Sequence, residues 1–279
     1  MDKKQINNSI LIIGAPNSGK STFYGQLYGR MHAKKGRIQL ASAPKNITGI
    51  KRAYERLAEG LETEATPATD NLEVIIPAKW NDTELELVFK DYGGEQVRDI
   101  INLLEYDKTW QQRTMENDRW ILFIRPGEIY HHYDLSITGY AKIDSSRSDD
   151  GTHNQLSHQY GFIELIQALL HAREKGVKSD LHSPKLVIAL TCWDELKTKH
   201  TPLEILKEKL PLFHQFIETI WSEDSYTILG LSPQEFRLDT QEAIDKYLDE
   251  LPQSFGYIVN PNGQHDKDLT KLIEITLQL

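Results

Sequence analysis

Apolar positions along the 279-residue chain fall into short runs separated by stretches with helical spacing. Ile10 to Ile13 is a continuous apolar run, and the segment from Lys20 to His32 after it is compatible with a helix. Leu72, Val74 and Ile76 alternate with Glu73 and Pro77; after Asn81-Asp82, Leu85, Leu87 and Phe89 alternate with Glu84, Glu86 and Lys90. This period of two on both sides of a turn predicts a β-hairpin, and Pro77, which lacks an N–H, predicts that the first of its strands lies at a sheet edge or carries a bulge. Further apolar runs at Trp120 to Ile124, Leu186 to Leu190 and Tyr226 to Leu231 alternate with helical patterns such as Phe162, Leu165, Ile166 and Leu169. Strands alternating with helices predict an α/β fold. The expectation is a six-stranded, mostly parallel sheet with helices on both faces and one antiparallel edge strand from the hairpin.

All of these elements read as one progression, so we expect a single domain over 1–279, with core motifs in 10–232. Residues 33–65, containing a helix from Ile47 to Leu61, and 131–158, polar and rich in Ser, Asp and His, read as elaborations. A C-terminal extension, 233–279, holds Thr240 to Leu251 and a final helix from Asp268 to Leu279. Asp268 or Thr270 would cap that helix, and Leu269, Leu272, Ile273 and Ile275 give it an apolar side. No solenoid-type repeat is evident.

Composition narrows the picture. The chain has 41 acidic and 32 basic side chains and a net charge of -9, which argues against a surface that attracts nucleic acid or anionic lipid. Its one cysteine, Cys192, cannot form an internal disulfide, and Met1-Asp2-Lys3-Lys4 does not resemble a signal peptide, so a cytoplasmic setting is expected. His131, His132, His153 and His158 match no metal-ligand spacing and read as exposed loop histidines.

The most specific chemistry lies in Gly14-Ala15-Pro16-Asn17-Ser18-Gly19-Lys20-Ser21, which fits G-x-x-x-x-G-K-[ST] between a strand and a helix. Such a turn aims backbone N–H groups at an anion, and the following helix adds its positive end. Gly19 permits close approach, Lys20 reaches the outer phosphates and Ser21 offers a hydroxyl to magnesium. The nucleotide-binding residues expected from this loop are Pro16, Asn17, Ser18, Gly19, Lys20, Ser21 and Thr22, and Gly94, Thr191, Asp194 and Ser232 join them from further along the chain. The hairpin ends in Asp91-Tyr92-Gly93-Gly94-Glu95-Gln96, and Asp91 lies 71 residues after Lys20. An acid at a strand's carboxyl end faces the phosphate crevice, where Asp91 would hold magnesium and the Gly94 N–H would meet a γ-phosphate.

With these two motifs the chain resembles the P-loop GTPases of the translation-factor-related class that includes Ras-like proteins. The resemblance implies GTP as ligand, magnesium as cofactor, a Ras-like three-layer sandwich and a magnesium-binding threonine ahead of the hairpin. Thr69, 22 residues before Asp91, has the expected register, and Thr66 is the alternative. Thr191-Cys192-Trp193-Asp194 resembles the family's [NT]-K-x-D, with Asp194 reading guanine N1 and N2. Cys192 departs from the usual lysine, which leaves guanine against adenine selectivity open. Asp194 as a helix N-cap is the structural alternative. Ser232-Pro233 stands where the family has a serine-alanine turn against the base.

Glu95 occupies the position of the family's water-orienting glutamine, with Gln96 one residue later, so both are candidate catalytic residues beside Lys20. A carboxylate accepts from water but cannot donate as an amide does, and it adds negative charge near the γ-phosphate, so slow intrinsic hydrolysis is expected. Arg98, Arg113, Arg119 and Arg125 are internal candidates for a transition-state arginine, and no motif selects among them.

The C-terminal extension, Thr191 to Leu196 and the long segment before the hairpin together resemble bacterial double-GTPase proteins of conflict and defence systems, which implies action with a protein partner. A nucleotide-bound scaffold that hardly hydrolyses, and an ATPase or small-molecule kinase with the same phosphate loop, are the competing readings.

Overall fold

A computed structural model of the chain describes residues 9–64, 71–81, 83–129, 157–174, 176 and 178–279. The order is β1 (Ser9–Gly14), α1 (Lys20–His32), β2 (Ile38–Leu40), α2 (Thr48–Ala58), β3 (Asn71–Trp80), β4 (Thr83–Tyr92), α3 (Gly94–Leu103), α4 (Lys108–Glu116) and β5 (Arg119–Ile124). There follow α5 (His158–Ala172), β6 (Lys185–Thr191), α6 (Pro202–Lys209), α7 (Pro211–Ile220), β7 (Tyr226–Ser232), α8 (Gln241–Glu250), β8 (Tyr257–Val259), β9 (His265–Asp266) and α9 (Lys271–Gln278). His158 opens a helix and is not a loop residue; His131, His132 and His153 lie outside the described residues.

The strands form one sheet in the order β2-β3-β4-β1-β5-β6-β7-β8-β9. Pairing is parallel from β4 through β1, β5 and β6 to β7, and antiparallel at both flanks. The class is α/β as expected, but the described residues form nine strands rather than six. The three extra strands, β2, β8 and β9, have two or three residues each, too few to show an alternating pattern.

The hairpin also corrects one detail. Its strand β3 is not the edge, because β2 pairs along it from Ile38 opposite Trp80 to Leu40 opposite Ala78. Pro77 sits where that ladder ends. Its carbonyl still accepts from the Ala41 N–H at 2.9 Å, and the donor it lacks falls just beyond Leu40.

Alternation within the central strands divides the core between two faces. Ile10, Ile12, Ile121, Phe123, Val187 and Ala189 pack with Phe23, Tyr24 and Leu27 of α1 and Leu272 and Ile273 of α9. Leu11, Ile13, Leu122, Ile124, Ile188 and Leu190 pack on the other face with Val97, Ile100, Leu165, Leu169, Ile205 and Phe213, from α3, α5, α6 and α7. The result is a three-layer sandwich whose parallel strands all end at the same side.

The C-terminal extension is fastened to α1 and to the start of β2. Buried Arg30 donates to the Phe255 carbonyl at 2.7 Å and to the Lys267 carbonyl at 2.5 Å. Arg37 forms ion pairs with Asp266, Asp268 and Glu274 at 3.0, 3.3 and 3.5 Å. Thr270 stands at the N-cap of α9 without a side-chain capping bond, and Asp268 accepts from the Thr270 N–H at 3.0 Å. Among the described residues, no helix is long and apolar enough to cross a membrane.

Candidate functional site

The loops that follow the carboxyl ends of the parallel strands enclose a cavity of about 410 Å³. Open α/β sheets hold ligands at this side, beside the strand where the chain order reverses, and β1 stands there between β4 and β5.

The β1–α1 loop forms one wall, with Pro16, Asn17, Ser18, Gly19, Lys20, Ser21 and Thr22 all lining the cavity. Gly19 immediately precedes α1 with φ of 82°, a left-handed conformation that glycine adopts without a Cβ penalty. The Phe23 N–H bonds to the Gly19 carbonyl at 2.9 Å, so the helical ladder begins directly at the loop. Lys20 is only 7% exposed, and its Nζ donates to the carbonyls of Gly14 at 2.7 Å and Ala15 at 3.0 Å. The Ser18 hydroxyl is buried with no hydrogen-bond partner among the described residues.

Gly94 and Glu95, at the start of α3, close on this wall. A Cβ at Gly94 would stand 2.4 Å from the Pro16 nitrogen and 2.7 Å from the Ala15 carbonyl carbon, so the helix start touches the loop backbone directly. Gln96 does not line the cavity. Its Oε1 accepts from Trp110 Nε1 at 3.0 Å and from Arg113 Nη1 at 3.3 Å, both on α4. One residue along a helix turns the side chain by about 100°, so Glu95 lines the cavity while Gln96 faces α4.

The base-reading candidates come from the ends of β6 and β7. Trp193 is buried and anchors a short 3₁₀ turn, Trp193–Leu196, entered through Cys192 at φ of 50°. Asp194 and Cys192 line the cavity. Asp194 accepts a short hydrogen bond from the fully buried Ser232 hydroxyl, which in turn accepts from the Glu235 N–H at 3.0 Å. Ser232 thus orients Asp194 and does not itself line the cavity. Thr191 is also buried away from it, donating to the Ile124 carbonyl at 3.1 Å and tying the end of β6 to that of β5. Burial pushes the Cys192 thiol up to about 12, although nearby Arg125 pulls the other way.

Several lining residues carry no motif in the sequence, Arg125 among them, one of the four arginine candidates that no motif selected. Arg125, one residue past β5, pairs with Glu195 through two bonds, Nε to Oε2 at 3.1 Å and Nη2 to Oε1 at 2.7 Å. Arg237 meets the same carboxylate at 2.6 Å. Burial opposes ionisation of Glu195, but the hydrogen bonds from Arg125 and Arg237 outweigh it and hold the carboxyl below its usual range; Glu195 in turn raises Arg125. Thr63, after α2, shares a hydrogen bond of 2.8 Å with Thr22.

Of the magnesium candidates, Ser21 lines the cavity, while Thr66 and Thr69 lie outside the described residues. Asp91 falls near the end of β4, which runs parallel to β1 from the pairing of Ile10 with Phe89. The Ser21 hydroxyl belongs to the oxygen donor class that magnesium takes.

A three-layer α/β sandwich with this loop at the end of its first strand defines a P-loop nucleotide-binding protein. A family model described as Double-GTPase 1 matches residues 11–276, and the chain belongs to that family. No curated protein matches it. Similar solved structures include Methanosarcina barkeri Roco2 RocCORdC bound to GDP, at 16% identity and a TM-score of 0.33, covering 90% of this chain and 49% of that one. A second, Sup35 complexed with GDP, shows 14% identity and a TM-score of 0.36 over 81% of this chain and 36% of that one. The chain spans less than half the length of either.

Proposed function

We propose that this cavity binds a guanine nucleotide, hydrolyses GTP slowly with magnesium, and so changes the surface shown to a protein partner. The observation that carries the reading is the meeting, in one cavity, of the Gly19–Lys20 phosphate loop with an Asp194 carboxylate fixed by Ser232. The loop amides and Lys20 would hold the phosphates. Asp194 would accept from two edge donors of guanine, a pattern that adenine does not present, and a mismatch would leave a charged acceptor unpaired. Family membership supports GTP as the ligand.

Ser21 and Asp91, with Thr69 or Thr66, would hold magnesium, which when bound neutralises phosphate charge. Gly94 abuts the phosphate loop, which suits it to follow the presence of a γ-phosphate and to move α3 when that group leaves. A role in bacterial defence, which rests on the sequence resemblance, and a cytoplasmic setting, which rests on the single cysteine, complete the proposal.

A second reading, a nucleotide-bound scaffold with negligible turnover, is favoured by one observation: Glu95, a carboxylate, lines the cavity next to Gly94. Chromatography of the nucleotide released from purified protein tests the binding claim. Guanine nucleotide is expected in the wild type, much less in Lys20→Ala, and a loss of guanine preference in Asp194→Asn. Adenine nucleotide in the wild type would refute it. Magnesium-dependent phosphate release, measured in parallel, separates the switch from the scaffold.

A further inference from the structure

A purine held at its edge by Asp194 still exposes two flat faces, and covering one with a cation strengthens binding. Cys192, two residues before Asp194, is too short to cover a ring, and its neutral thiol carries no charge to offer. A cation beside Cys192 comes from the end of a different strand. Arg125 lines the same cavity, senses Cys192 electrostatically, and has a side chain 20% exposed.

Arg125 is also held in an unusually defined pose. Nε and Nη2 are engaged by Glu195, while Nη1 donates to Glu128 Oε1 at 2.8 Å and reaches the Asn17 carbonyl of the phosphate loop at 3.4 Å. Guanidinium hydrogen bonds lie in the plane of the group, so these contacts fix that plane and leave its faces to stack on an aromatic ring. The contact with Asn17 places the cation beside the phosphate loop, and Glu195, next in sequence to Asp194, places it beside the base-reading turn.

We infer that Arg125 is a base-binding residue: its guanidinium, clamped by Glu195, covers a face of the purine in place of a side chain from position 192. This rests on the proposed function, since it needs a purine nucleotide in the cavity. Removing Arg125 does not strand Glu195, because Arg237 still pairs with it at 2.6 Å, so the fold should survive the substitution.

The test compares wild type, Arg125→Gln and Arg125→Lys by calorimetric titration with GDP, with inorganic pyrophosphate as a base-free competitor and melting of the nucleotide-free protein as a folding control. Arg125→Gln should weaken GDP about tenfold, Arg125→Lys less, with pyrophosphate binding and melting unchanged. If Arg125→Gln binds GDP within about twofold of wild type, the inference fails. Equal losses for GDP and pyrophosphate would also overturn it, since Arg125 would then only brace the phosphate loop. A wild type that binds pyrophosphate but shows no preference for GDP would instead sink the guanine-nucleotide reading itself.

Discussion

Adding one methyl group at Gly94 is the sharpest test of the contact between α3 and the phosphate loop. The Cβ of Gly94→Ala would lie 2.4 Å from the Pro16 nitrogen, 2.7 Å from the Ala15 carbonyl carbon and 2.8 Å from the Pro16 Cα, whereas ordinary contact begins at 3.4 Å. All three neighbours are backbone, so no side chain can swing aside; either α3 or the loop must retreat by roughly 1 Å, the range in which overpacking costs about 1–3 kcal/mol. For a chain of this size each kcal/mol lowers the melting temperature by about 2–4 °C, so a loss of several degrees is expected. Retreat of the helix start also withdraws its amides from an anion at the loop, where a hydrogen bond to a charged group contributes about 1.5–3 kcal/mol. GTP should therefore weaken about tenfold or more, and GDP, which lacks the γ-phosphate, should weaken less. Differential scanning fluorimetry and titration with a non-hydrolysable GTP analogue read both effects. A variant that melts and binds the analogue as the wild type does would refute the close contact and the role given to Gly94.

Ser232→Ala removes the hydroxyl that orients Asp194; GDP affinity should fall about tenfold while ADP affinity is unchanged, as measured by competition titration. Glu95→Gln replaces the cavity-lining carboxylate with an amide that both donates and accepts, and phosphate release should rise about tenfold; an unchanged rate would remove Glu95 from the account. Cys192, with its thiol pushed up to about 12, should react with iodoacetamide at pH 8 far more slowly than in the unfolded chain. Because that shift is upward, its contribution to stability is complete below the unfolded pKa near 8.5 and is lost as pH rises toward 12, a trend that melting above pH 9 would reveal.

The phosphate loop was legible because its whole chemistry is contiguous: strand, Gly14 to Ser21, helix. Asp194, singled out by its resemblance to [NT]-K-x-D after an apolar strand, lines the same cavity. The hydrogen bond from Ser232 to Asp194 joins the ends of two neighbouring parallel strands, and only strand order makes it visible. The same holds for Arg125, Glu195 and Arg237, which come from three separate strand-end loops and carry no motif between them. Glu95 and Gln96 could not be told apart in the sequence because adjacency in sequence is not adjacency on a helix: Glu95 lines the cavity while Gln96 bonds to α4. The short strands β2, β8 and β9 escaped for a different reason. Their pairing is imposed by the neighbours they flank and not by a pattern of their own.

The central claim is that this cavity selects guanine nucleotides through Asp194. Titration of the nucleotide-free wild-type protein with GDP and with ADP under identical magnesium and salt tests it most directly. GDP should bind at least about a hundredfold more tightly, the scale expected when a mismatched base leaves a charged acceptor unpaired. Equal affinities for GDP and ADP would contradict the account.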